Sequence, residues 1–148
     1  MKIISSAFES GELMPVKYTC NGKNVNPSLE FVDVPEGAVS LVLIMDDPDV
    51  PVTVREDQIW DHWIKFNIPT SVKTVAENSE PEGVAGVGTS GNLKYHGPCP
   101  PDRQHRYFFR LYALDTKLDL PEGATKKEVE GAMAEHIIDQ AELIGLYE

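Results

Sequence analysis

Val39–Met45 is a run of seven uncharged residues, apolar except for Ser40. Such a run reads as a strand buried on both faces. It leads directly into Asp46-Asp47-Pro48-Asp49-Val50-Pro51, and proline, which fixes φ and lacks a ladder donor, ends the strand near Pro48. Alternation along a strand puts Leu41, Leu43, Met45 and Asp47 on one face, and Val42, Ile44 and Asp46 on the other. Period two recurs in Trp60–Ile68, where Trp60, His62, Ile64, Phe66 and Ile68 share a face, and in His105–Leu114, where His105, Tyr107, Phe109, Leu111 and Ala113 do. Shorter strands are predicted at Ile3-Ile4, Val16–Thr19 and Leu29–Phe31, between the turn formers Ser10-Gly11, Pro15, Asn21-Gly22 and Asn26-Pro27. Residues 77–92 read as a long loop punctuated by glycines. It leads into a proline-stiffened segment, residues 95–102.

One stretch has helical spacing. Thr125-Lys126-Lys127-Glu128 matches a capping box, in which the threonine and glutamate side chains satisfy otherwise orphaned backbone donors. Val129, Ala132, Met133, His136, Ile137, Gln140, Ala141 and Ile144 continue the pattern, with Gly145 as a C-terminal cap. On this reading His136 is a packed structural histidine on the inner stripe. The fold class is therefore mainly β: two packed antiparallel sheets with a C-terminal helix, in one domain spanning residues 1–148.

The 148 residues suffice to bury roughly 70% of the unfolded surface. A formal charge of −11 argues against broad nucleic-acid binding but leaves room for a small anion site, which is governed by its nearest donors. The N-terminal residues lack the apolar run of a signal peptide, and no stretch reaches membrane-spanning length. A cytoplasmic protein with no stable membrane insertion is expected. Cys20 and Cys99 are too few for a cysteine-type zinc site. Two reduced thiols are the expectation in that compartment, with a disulfide left open.

Asp47 ends its strand, whereas His62 and His105 stand near the beginnings of theirs. If Trp60–Ile68 and His105–Leu114 both run antiparallel to the Val39–Met45 strand, the three residues meet at one sheet edge. The loops at 48–59 and 95–104 then form a rim. One inward histidine alone is usually a core residue and one strand-end acid is usually solvated. Three coincidences of position and parity favour a shared pocket.

Asp46-Asp47-Pro48-Asp49-Val50-Pro51, Trp60-Asp61-His62-Trp63 and Gly97-Pro98-Cys99-Pro100-Pro101 followed by His105-Arg106-Tyr107 resemble the phosphatidylethanolamine-binding proteins. Lys17–Gly22 and Ala141–Tyr147 are similar to the bacterial and archaeal Raf-kinase-inhibitor-like branch. The resemblance implies Greek-key connections and a pocket for phosphate, acetate or a phosphorylated headgroup. It assigns ligand binding to Asp47, His62, Gly97, Pro98, His105 and Tyr107. Val50, Pro51 and Trp60 become lining, with Asp49 and Arg106 as support. Phe31 stands where this branch usually has tryptophan and His96 where it often has glycine. No counterpart of the extra C-terminal helix of the animal proteins follows Tyr147.

The expected function is a non-catalytic binding module for a small anion or phosphorylated ligand. The alternative is a regulator or inhibitor of a protein kinase or protease, acting through the pocket edge. A hydrolase using His62 and His105 as acid and base ranks lowest, because no serine or cysteine is clearly paired with a base. Asp47, His62 and His105 also have the donor types of a two-histidine, one-carboxylate metal triad, but the resemblance argues against a metal. No catalytic residue, cofactor or metal is expected, and a homodimer is left open.

Overall fold

The computed structural model describes the whole chain, Met1–Glu148. Its strands are β1 (Lys2–Ile4), β2 (Glu12–Leu13), β3 (Leu29–Val32), β4 (Ser40–Asp47), β5 (Trp60–Ile68), β6 (Thr74–Val75), β7 (Val84–Ala85) and β8 (His105–Leu114). A helix, α1 (Lys126–Met133), and a last strand, β9 (Ile137–Tyr147), follow. One sheet has the order β1-β3-β6 and the other β2-β9-β8-β4-β5-β7. The antiparallel neighbours β8-β4-β5-β7 have the spatial order of a Greek key, with β8 returning beside the first strand. Every pairing between these strands is antiparallel except the two-residue contact of β2 with β9.

β4 is buried along its whole length because it is central in its sheet and covered on both faces. Leu41, Leu43 and Met45 pack with Phe109, Leu111, Ile3, Leu29 and Phe31 in the core between the sheets. Val42 and Ile44 pack on the opposite face with Ile64, Phe66, Val129 and Met133, beneath the helix. The alternation read from the run therefore separates two hydrophobic cores.

The C-terminal helix is shorter than its pattern suggests. The capping box forms: Thr125 Oγ1 accepts from the Glu128 N–H at 3.2 Å, and Glu128 Oε1 accepts from the Thr125 N–H at 3.1 Å. Yet the helix ends at Met133, and the predicted helical residues from Ile137 onward form β9. Residues 137–147 pair with β8 along its entire length, from Leu114↔Ile137 to His105↔Tyr147. Satisfying that long edge outweighs local spacing, and the buried residues Leu143, Gly145 and Tyr147 have strand period. Gly145 is thus no helix cap: Met14 packs where a β-carbon would stand. His136 is not packed either; its half-exposed ring binds Asp115 at 2.8 Å.

Val16–Tyr18, predicted as a strand, forms a 3-10 turn after Pro15, closed by Tyr18 N–H and Thr19 N–H bonds to Pro15 and Val16 carbonyls. The loop at 77–92 is less irregular than expected. It contains β7, and its backbone is hydrogen-bonded to Ile64, Ala124 and Asp61. Cys20 and Cys99 are joined in a disulfide, correcting the expectation of two thiols. The two chain segments meet independently of the sulfurs: Cys20 N–H donates to Pro98 O, and Tyr95 Oη donates to Tyr18 O. No helix is long and apolar enough to cross a membrane.

Candidate functional site

A cavity of about 200 Å³ opens at the edge where β4 ends and β5 and β8 begin. Asp47, Val50, Val54, Trp60, His62, His96, Cys99, Pro101, His105 and Tyr107 line it. This is many times the minimum for one water and enough for a small polar group.

A fault in strand pairing creates the site. Met45 pairs with Trp63 but Asp46 with Asp61, so one step along β4 spans two along β5 and His62 is the extra residue. Trp63 joins the core between the sheets, while Ile64 and Phe66 join the helix-side core. Unbroken alternation would have put His62 with Ile64, on the face opposite Asp47. The bulge instead brings His62 to the cavity next to Trp63, on the face of Asp47 and Tyr107. A second irregularity near Asn67, whose φ is +52°, returns Ile68 to the core between the sheets.

His62 Nδ1–H donates to the His96 carbonyl at 2.6 Å, which directs the other ring nitrogen toward the cavity as an acceptor. Burial pushes the ring down to about 4, only partly opposed by the bond to His96, so it is neutral at ordinary pH. Tyr107 is wholly buried, and its hydroxyl has no hydrogen-bond partner. Burial, followed by the charge of Asp47, raises its pKa. The Tyr107 ring meets His62 edge-on at 5.4 Å and stacks on His105 at 6.3 Å.

His105 is held from both sides. Nδ1 lies 2.6 Å from Asp47 Oδ2 and Nε2 lies 2.6 Å from Asp102 Oδ1. Each nitrogen is thus paired with a carboxylate oxygen, and an ionised carboxylate accepts from whichever ring N–H faces it. Asp47 Oδ1 also accepts from the Asp49 N–H at 2.8 Å. Burial raises the Asp47 pKa against these two bonds. For Asp102 burial also acts upward, but the bonds from His105 and the Arg103 backbone bring the net shift downward.

Asp49 takes the Arg106 side chain in a two-pronged contact, Nη2 to Oδ1 at 2.9 Å and Nε to Oδ2 at 3.0 Å, plus the Arg106 N–H. This pair ties the 48–59 loop to β8, and the Arg106 bonds lower the Asp49 pKa. Val50 and Trp60 line the cavity, whereas Pro51 stands back from it and accepts the N–H groups of Val54 and Arg55. Gly97 and Pro98 are not among the residues that line the cavity. The Gly97 N–H donates to Asn24 Oδ1 at 2.7 Å, and a β-carbon there would strike the Tyr18 carbonyl.

Two features escape a reading of strand runs and parity. Asp102 carried one usable signal, an acid three residues before a strand-start histidine. His96 acts through its carbonyl, which any residue supplies. The neighbour of Asp47 has a separate role: Asp46 points to the other face, where Arg110 holds it through two nitrogens at 3.1–3.2 Å and Lys126 at 3.2 Å.

Comparison with known proteins agrees with this fold. Residues 4–148 match the family model described as phosphatidylethanolamine-binding protein. A protein of Chlamydia pneumoniae named UPF0098 is 51% identical over 148 residues, covering 100% of this chain and 99% of the relative. The crystal structure of a phosphatidylethanolamine-binding protein homologue from Chlamydia trachomatis superposes with a TM-score of 0.96 at 49% identity, covering 99% of this chain and 96% of that one. YbcL of E. coli, described as a member of the mammalian family, superposes with a TM-score of 0.89 at 29% identity and covers 99% and 97% of the two chains. The chain belongs to the phosphatidylethanolamine-binding protein family.

Proposed function

We propose that the cavity binds a small oxyanion, or the phosphoryl end of a larger ligand, and holds it without turnover. The Tyr107 hydroxyl carries this reading: it is buried beside the cavity without a partner. Leaving such a group unsatisfied costs about 1–3 kcal/mol, a penalty that a ligand relieves. The second ring nitrogen of His62 is an acceptor on the same cavity. A donor and an acceptor together complement a singly protonated phosphate or phosphomonoester, which offers P–O⁻ to the tyrosine and P–OH to the imidazole. The family's name, taken from a phosphorylated headgroup, agrees in ligand class. Absence of turnover is supported by what the candidate groups already do. Cys99, the sulfur nearest the cavity, is in a disulfide, and both His105 nitrogens are engaged.

The test is titration with inorganic phosphate, followed by NMR of the histidine and tyrosine rings, on the native protein and on Tyr107→Phe. Saturable shifts of His62 and Tyr107 are expected, with affinity about tenfold weaker in the variant. Unmoved rings would refute the anion site. Hydrolysis of a phosphomonoester panel that Tyr107→Phe abolishes would refute the absence of turnover.

A further inference from the structure

The fully buried His105 ring is the centre of a chain of three groups, Asp47–His105–Asp102. Its inner partner, Asp47, is buried and anchored by a second bond to the backbone. Its outer partner differs: the Asp102 side chain is 39% exposed and follows Pro101 on the loop that lines the cavity. The ring itself lines that cavity. Asp102 therefore holds the nitrogen that an anion entering the cavity would seek, and it holds it with a carboxylate, an anion of the chain's own.

We propose that Asp102 is an internal competitor for the anion site, a side chain that an incoming oxyanion displaces from His105. This rests on the reading of the cavity as an oxyanion site and adds what sets its affinity and selectivity. The displaced carboxylate has somewhere to go. The Arg103 guanidinium lies 3.8 Å from its other oxygen, and both side chains are substantially exposed, so it swings into water beside a cation. The backbone need not follow. Cys99 is anchored to Cys20, and Arg103 Nη2 donates to the Asp49 carbonyl at 3.2 Å, leaving a side-chain rotation as the only movement required. A ligand with two acidic oxygens gains both His105 and Tyr107. A neutral ligand is a weaker acceptor than a carboxylate and cannot take the ring N–H from it. Asp102 thus admits strongly acidic oxyanions and rejects uncharged mimics of the same shape.

The experiment compares inorganic phosphate binding to native protein, Asp102→Ala and Asp102→Asn at one pH, by calorimetry and by NMR of ¹⁵N-labelled histidine. The asparagine variant keeps the shape and guards against misfolding of the alanine one, with unchanged backbone spectra as the check on both. Phosphate should bind Asp102→Ala about tenfold or more tightly, with a smaller change in the same direction for Asp102→Asn. In the native protein, saturation with phosphate should move the His105 Nε2 resonance as its partner changes. A residue that merely props the ring would weaken binding when removed. A distant charge effect would tighten binding without moving Nε2 in the native protein. Either result overturns the proposal, as does equal affinity in all three proteins, while leaving the anion site standing. Rings unmoved by phosphate in all three would overturn the anion site and Asp102's role with it.

Discussion

Acidification should destabilise the protein through His62. The ring has an ordinary value of 6.5 when unfolded and is held at about 4 in the fold by burial. Between those values the unfolded chain binds a proton that the folded chain refuses, so stability falls as pH falls. The sign follows from the depressed basic group: its contribution is complete above pH 6.5 and declines toward about pH 4. The displacement from 6.5 to about 4 corresponds to about 3 kcal/mol, a large share of the 5–15 kcal/mol typical of a domain. Other groups titrate in this range, and Asp47, with its raised pKa, acts in the opposite direction. Comparison with His62→Gln cancels them, because glutamine can still donate to the His96 carbonyl but never charges. Denaturant unfolding of both proteins from pH 7.5 to 4 should show the native protein losing about 3 kcal/mol relative to the variant. The His62 ring-proton titration, read directly by NMR, should have its midpoint near 4. A midpoint near 6.5, or a difference between the two proteins that does not vary with pH, would refute burial as the controlling influence and the acceptor role assigned to the ring.

Asp46→Asn and Asp47→Asn should separate stability from binding. Asp46 balances Arg110 and Lys126, so its loss should cost about 2–4 kcal/mol of unfolding free energy and leave phosphate affinity unchanged. Asp47→Asn should weaken phosphate binding by about 1–3 kcal/mol, since it removes the charge and leaves one acceptor oxygen for the two groups Asp47 holds, His105 and the Asp49 N–H; equal effects on calorimetric affinity would contradict the two-faced arrangement of β4. The Cys20–Cys99 bond closes a separation of 79 residues. Cys20→Ser should lower stability by about 2–4 kcal/mol in guanidinium unfolding, and two titratable thiols in native protein purified without reductant would contradict the pairing.

Strand existence was legible because it is written locally. The bounds of β5 and β8 follow from period two, and the prolines after Asp47 end β4. The division of Asp46 from Asp47 was legible for the same reason: adjacent side chains on a regular strand must point to opposite faces. The antiparallel neighbours of β4 could be hypothesised from strand-end residues, and the pairing places Asp47, His62, His105 and Tyr107 on one cavity.

Tertiary structure decided the rest. Alternation alone put His62 with Ile64; only the pairing of β5 against β4 absorbs an extra residue and turns the ring toward Asp47. Residues 137–147 fit helical spacing, but the unpaired edge of β8 offered the backbone more hydrogen bonds as a strand. Thiol or disulfide depended on whether Cys20 and Cys99 meet, which no spacing in the chain reveals and which the contact of the Pro-rich loop with the 16–22 turn determines. Asp102, which had no role in the sequence reading, became a partner of His105, and the Gly97 N–H was taken by Asn24. A residue's type and position limit the bonds it can make. Which of those bonds remains free for a ligand depends on every neighbour the fold brings to it.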